Sequence, residues 1–221
     1  MSMNIAIDGP AGAGKSTIAK RVAKEMGYIY VDTGAMYRSL ALYFIRLGID
    51  KDDEARISEA VKDADVTIKY VNGEQQVLLN DENVTGLIRT EEVGNMASAS
   101  SVYSSVRSKL LDLQRNLAAS NDVIMDGRDI GTCVLPNAQV KVFLTASVDT
   151  RADRRYKELV EKGENPDLDK IKKDIEERDY RDSHRENAPL RQADDATLVD
   201  SSNMSIEEVV DAIINLCKDK M

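Results

Sequence analysis

Basic residues are the minority in this chain of 221 residues: 30 Lys and Arg stand against 39 Asp and Glu, a formal net charge of −9. A surface of that sign repels polyanions, which argues against a broad face for nucleic acid or anionic membrane. The cationic residues that do occur must then act locally, in a focused pocket. No run approaches the roughly 18 uninterrupted apolar residues of a membrane helix. The opening MSMNIAIDGP has no basic region followed by an apolar one, so no secretory signal is expected. Cysteine is scarce, and Cys133 and Cys217 form no CxxC. Neither a disulfide framework nor a zinc site is suggested; two reduced, buried thiols are expected. The single histidine, His184, reads as a solvated surface residue. Internal repeats and low-complexity tracts are lacking too. A soluble, cytoplasmic globular protein fits these absences, and 42% hydrophobic with 31% charged residues is ordinary for one. The length allows one to two domains.

What is present is a regular alternation of elements. Asn4–Asp8 (NIAID) reads as a short buried strand, and Ser16–Met26 as a helix whose face is Ile18, Ala19, Val22, Ala23 and Met26, with Gly27 as its stop. Tyr28–Asp32 is a second strand, and Thr33–Leu47 a helix ending at Gly48. Strand, loop, helix, strand, helix implies a βαβ unit with a parallel sheet. Val66–Leu79 changes texture: two β-prone runs flank Asn72-Gly73, the strongest short hairpin signal, which points to a small inserted antiparallel subdomain. Arg89–Leu117 returns to helix, with an apolar stripe of Val106, Leu110, Leu111, Leu113 and Leu117. Val123–Asp126, Val140–Thr145 and Ala196–Asp200 read as further strands, and Asp149–Lys162 and Asp169–Arg181 as highly charged helices. Ser205-x-x-Glu208 is a capping box opening a last helix with Val209, Val210, Ile213, Ile214 and Cys217 inward.

The loop after the first strand carries the chemistry. GPAGAGKST (Gly9, Pro10, Ala11, Gly12, Ala13, Gly14, Lys15, Ser16 and Thr17) meets GxxxxGK[ST] in full, between a strand and a helix. Glycines let backbone amides curl around a β-phosphate that side chains would block. The following helix offers its positive end. Lys15 supplies a point charge to the β- and γ-phosphates, and the Ser16 hydroxyl can ligate Mg²⁺. A nucleoside triphosphate is therefore the expected ligand, and a small ATP-dependent kinase the expected enzyme.

Three further regions bear charge where a ligand would meet it. Asp126 ends a buried strand, so it faces the ligand crevice of an open α/β sheet; it either holds Mg²⁺ through water or caps the next turn. Arg128 and Asp129 beside it need partners. Asp32–Arg38 (DTGAMYR) opens a helix, and Thr33 with Arg38 is either a second anion site or an N-cap threonine and a solvated arginine. Arginine is then dense through Arg151, Arg154, Arg155, Arg178, Arg181, Arg185 and Arg191. Arg151 and Arg155, four apart with no acid between them on that face, suggest an anion-binding surface, whereas Arg178 and Asp182, also four apart, are able to pair with each other. Arginines closing over a triphosphate would neutralise developing charge and exclude water.

Taken together, GPAGAGKST, DTGAMYR, IRTEEVGNMAS, DGRDIGT and ERDYRDSHRENAPL resemble, in order and across nearly the whole chain, the bacterial cytidylate kinases, members of the nucleoside-monophosphate kinases. The resemblance implies a single α/β domain, 1–221: a central parallel sheet flanked by helices, a monophosphate-binding insert at about 34–105 that includes the hairpin, and an Arg-rich helical lid at about 151–185. It implies that Thr33, Arg38 and Arg128 hold the acceptor phosphate with Arg185 assisting, that Ser98, Arg107 and Asp129 read the cytosine edge, and that Tyr37, Arg178 and Asp182 line the ribose. Thr33 stands where the family carries serine, and both offer a hydroxyl. Catalytic weight falls on Lys15, Arg128 and Arg185; ATP binding on the loop and Arg155; metal binding on Ser16 and Asp126. The implied reaction converts CMP or dCMP with ATP and Mg²⁺ to the diphosphate, in a monomer with no nucleic-acid or membrane partner. The rivals are a kinase for another small acceptor, such as UMP, AMP or shikimate, and a GTP-dependent switch, which would need an NKxD-type motif that the sequence lacks.

Overall fold

The structure, a computed structural model, describes residues 2–220; Met1 and Met221, the ends of the single domain expected from the sequence, lie outside the described residues. In chain order the elements are β1 (Asn4–Asp8), α1 (Lys15–Met26), β2 (Ile29–Asp32), α2 (Thr33–Arg46), α3 (Glu54–Asp63), β3 (Val66–Val71), β4 (Glu74–Leu79), β5 (Glu82–Asn83), α4 (Glu91–Ser100) and α5 (Ser104–Ser120). There follow β6 (Val123–Gly127), a π-helical turn (Ile130–Val134), β7 (Val140–Thr145), α6 (Val148–Glu161), α7 (Leu168–His184), β8 (Thr197–Asp200) and α8 (Ile206–Lys218). A five-stranded parallel sheet runs in the order β2-β6-β1-β7-β8, and β3-β4-β5 form a separate antiparallel sheet. Among the described residues the chain divides into two compact units: Ile29–Val123 with Ser2, and Met3–Tyr28 with 124–220.

In the second unit β1 is apolar and buried because helices cover a parallel sheet on both faces. Ile5 lies opposite Val140 and Val142 opposite Thr197 in parallel register. Ile18, Val22, Ile124, Met125, Leu144, Val209 and Ile213 complete this core. The helix α8 opens on the expected capping box: the Ser205 hydroxyl accepts from the Glu208 amide, and the Glu208 carboxylate from the Ser205 amide. Along it Val209, Val210, Ile213 and Cys217 are buried and Ile214 is half-buried, because four residues already fill the inward stripe. Cys217 is a free, buried thiol pushed up to about 11 by burial, while Cys133, in the π-helical turn, is only half-buried, against expectation.

In the first unit the core is built from Met36, Leu40, Phe44, Ile57, Leu79, Ile88 and Leu110. The hairpin forms as expected, with Asn72 (φ 53°) and Gly73 (φ 80°) both in the left-handed region a tight hairpin demands. A second turn of the same hand, Asn80 (φ 48°) and Asp81 (φ 66°), adds β5, which the sequence reading did not anticipate. Nor did it anticipate α3, capped by the Asp53 side chain. The hairpin also serves the edge strand β2: the Tyr70 hydroxyl donates to the Tyr30 carbonyl (3.1 Å), and the Gln75 amide bonds both the amide and the carbonyl of Asp32 (2.8 and 3.2 Å). The expected continuous helix over Arg89–Leu117 is two helices broken at residues 101–103. The Ser100 and Ser101 hydroxyls donate to the Met96 and Ser98 carbonyls, and side chains of this kind compete with the helical ladder. The buried stripe of α5 is Val106, Leu110, Gln114 and Ala118; Leu111, Leu113 and Leu117 are only half-buried.

Candidate active site

The glycine-rich loop leaves β1 with no space for a side chain. A Cβ at Gly9 (φ 150°) would stand 1.9 Å from the Leu144 carbonyl oxygen, so only glycine lets the loop start against β7. The helix α1 then begins at Lys15 with no side chain capping its amides and no acid in its first turn, so its positive end is left to an anion. Lys15 is buried, and its Nζ donates to the Pro10 carbonyl (2.8 Å). Burial first, and then the charge of Arg128, push the Lys15 ammonium down to about 7, against the pull of Asp126 and Asp8. A polyanion at this position would add to the pull of those two acids. The Ser16 hydroxyl donates to Asp126 Oδ2 at 2.8 Å. One hydroxyl and one carboxylate side by side are hard oxygen donors that suit Mg²⁺, which keeps several waters and takes substrate phosphates as ligands.

Asp8 was missed by the sequence reading. It is buried at the end of β1, with its two oxygens accepting from the Ile130 (2.8 Å) and Gly131 (2.7 Å) amides. Burial raises its carboxyl to about 6 despite those two bonds, with Asp129 adding repulsion and Lys15 attraction. The signal was available: an acid ends the apolar run of β1 just as Asp126 ends that of β6.

The neighbouring charges pair in ways that spacing does not reveal. Arg128 Nε donates to Asp182 Oδ2 at 2.8 Å, so Asp182 is bonded to a residue 54 positions away. Burial alone would raise the Asp182 carboxyl, but Arg128, Arg178 and Arg185 together hold it below its ordinary value. Arg185 and Asp129 meet at 3.3 Å with both side chains almost wholly buried. The clear face expected from Arg151 and Arg155 is not formed. Arg151 is buried, grips the Ala11 carbonyl of the loop (3.0 Å) and is doubly bonded to Asp179 of α7, while Arg155 lies at the surface with Glu158 (2.9 Å). Arg154 instead turns to Ser201. His184 is exposed as expected, though its ring stacks on Tyr180 at 4.0 Å.

In the first unit, Asp32 and not Thr33 caps α2, accepting from the Ala35 amide (2.9 Å); Thr33 is the first helical residue and is buried. Asp32 is also bonded to Arg89 (2.6 Å), a second residue the sequence reading passed over. Arg38 is half-buried, not solvated, and reaches the Ile88 carbonyl (3.3 Å). A Cβ at Gly94 would stand 3.1 Å from this guanidinium, so the glycine makes room for it. The Arg107 guanidinium lies 6.0 Å from the Tyr37 ring centre, and Ser98 is half-buried on α4. Among the described residues no helix is long and apolar enough to cross a membrane.

The family described as Cytidylate kinase matches residues 5–219. The Cytidylate kinase of Leuconostoc mesenteroides subsp. mesenteroides is 50% identical over 220 residues, covering 100% of this chain and 98% of that one. The protein of the same name from Lactobacillus johnsonii is 50% identical over 218 residues, covering 99% and 95%. The fold is also similar to that of shikimate kinase from Bacteroides thetaiotaomicron, with a TM-score of 0.50 over 98% of each chain at 12% identity, a likeness of architecture alone.

Proposed function

This chain belongs to the cytidylate kinase family, and from that premise we infer that it transfers the γ-phosphoryl group of ATP to CMP and dCMP. The observation that carries the reading is the family match over nearly the whole chain; the cluster of Lys15, Ser16 and Asp126 behind an uncapped helix start supports a triphosphate site.

The amides of Gly9–Thr17 cradle the donor phosphates, and Lys15 lies against the β- and γ-phosphates, with Arg155 as a further contact for ATP. Ser16 and Asp126 would hold Mg²⁺, which would supply charge neutralisation at the donor phosphates. For the acceptor, Thr33, Arg38 and Arg128 bind the phosphate and Arg185 assists; Ser98, Arg107 and Asp129 read the cytosine edge; Tyr37, Arg178 and Asp182 line the ribose. Asp129 accepts from the exocyclic amino group, while Arg107 serves the N3 and O2 acceptors. The second phosphate pKa is about 6, so the attacking oxygen is already anionic at neutral pH and no general base is required. The catalytic work of Lys15, Arg128 and Arg185 is to align two polyanions and offset their repulsion. Residues 34–105 form the monophosphate-binding insert and 151–185 an Arg-rich lid that excludes water. The enzyme acts as a cytoplasmic monomer, without nucleic-acid or membrane partners.

A coupled assay of ADP release over CMP, dCMP, UMP and AMP tests the reading. CMP and dCMP should be the preferred acceptors; a protein that phosphorylates UMP or AMP far better refutes it.

A further inference from the structure

We propose that Asp8 is a positioning residue for acceptor recognition: its carboxylate holds the Arg128–Gly131 turn in register with the phosphate loop. The inference rests on the roles given above to Arg128 and Asp129. Its geometry is independent of them. Both oxygens of one carboxylate are used, Oδ1 on the Ile130 amide and Oδ2 on the Gly131 amide. Two bonds to successive amides fix the turn in rotation as well as position. These amides open the π-helical turn Ile130–Val134, where no preceding carbonyl is in place to receive them, so Asp8 acts as its cap from 122 residues away. Further along the turn, the amides of Cys133 and Val134 close back onto the Asp129 carbonyl (2.8 and 3.2 Å). The two side chains immediately before the clamp are Arg128 and Asp129.

The fit leaves little slack. A Cβ at Gly131 would stand 3.1 Å from Lys141 Cδ and 3.4 Å from Asp8 Oδ2, so the turn lies tightly between these side chains. On its other side Asp8 is followed directly by Gly9, itself pressed on the Leu144 carbonyl. The clamp is also costly. Asp8 faces the Asp129 carboxylate, the Lys15 ammonium and the two amides, and burial raises its carboxyl to about 6. An asparagine of the same shape would be cheaper to bury. A charged clamp kept at this cost serves the placement of the turn, not the stability of the fold.

The test is the full-length Asp8→Asn variant, assayed with CMP and UMP as acceptors and melted at neutral pH. One amide would then face the NH₂ group of the new side chain. The expected result is a kcat/KM for CMP reduced by about 10-fold or more, with the CMP-over-UMP preference eroded, since small misplacements of binding groups cost that much. The KM for ATP should stay within about twofold, as a selective effect on acceptor placement requires, and the Tm should not fall. Kinetic constants all unchanged, or losses for ATP equal to those for CMP, overturn the proposal. If the variant does not fold, the unaltered enzyme decides by hydrogen exchange. Slow exchange at Ile130 and Gly131, slower again with CMP bound, supports the clamp; free-peptide rates or indifference to CMP overturn it. An unaltered enzyme without CMP preference sinks the roles of Arg128 and Asp129, whereas a CMP-selective enzyme whose Asp8→Asn variant keeps its selectivity sinks only the clamp.

Discussion

Lys15 is held in a state that a ligand completes. Its ammonium is buried, bonded to one carbonyl, and lowered to about 7 by burial and by Arg128. In the proposed complex a triphosphate would add negative charge beside it and so favour the charged ammonium. Lys15→Ala should therefore lower turnover by roughly 10²–10⁵, the range for groups that stabilise charge in phosphoryl transfer; steady-state ADP release measures it, and near-normal turnover refutes the role. Asp129 has two partners to satisfy, Arg185 in the protein and, in the proposed complex, the cytosine amino group. Asp129→Ala should erode the preference for CMP over UMP by about 10-fold or more while largely sparing ATP binding. It should also lower stability by about 3 kcal/mol, because the buried Arg185–Asp129 pair is broken; parallel kinetics and chemical denaturation separate the two effects.

Among the elements, α8 offers a test free of catalysis. Its capping box satisfies two amides at the helix start, so Ser205→Ala should cost about 1 kcal/mol in urea denaturation with kcat unchanged. The elements that were legible in the sequence share a local cause. The strands β1, β6 and β7 are short and mostly apolar, the hairpin has Asn72-Gly73, and α8 has its box. What was illegible depends on partners. The turn at Asn80-Asp81 uses no glycine to announce its positive φ angles, so β5 stayed hidden. The break between α4 and α5 depends on serine hydroxyls choosing backbone acceptors over solvent. The site followed the same division: the phosphate loop is contiguous, whereas the partners of Asp8 and Arg89 lie 122 and 57 positions away. Asp182 likewise takes as a hydrogen-bond partner Arg128, 54 positions away, which helical spacing does not reveal.

For the whole molecule, two buried carboxyls give stability a pH dependence of opposite signs. Asp8 binds its proton more tightly in the folded chain, about 6 against an ordinary 3.8. Its contribution is therefore fully present below pH 3.8 and lost as the pH rises through 6, a change on the order of 3 kcal/mol. Asp182, held below its ordinary value, contributes above that value, and its contribution is lost as the pH falls through the lowered one. Denaturation between pH 4 and 7 should thus show the unaltered protein losing stability relative to Asp8→Asn as pH rises; parallel curves would contradict the assignment. The small antiparallel sheet has a consequence for solubility. Strand β2 ends the five-stranded sheet, and Tyr70 and Gln75 occupy hydrogen-bonding groups at Tyr30 and Asp32. A bare strand edge is a template for another chain. Trimming residues 66–83 to make a smaller kinase should therefore yield a protein that aggregates through β2, so the insert guards the fold against self-association whatever else it binds.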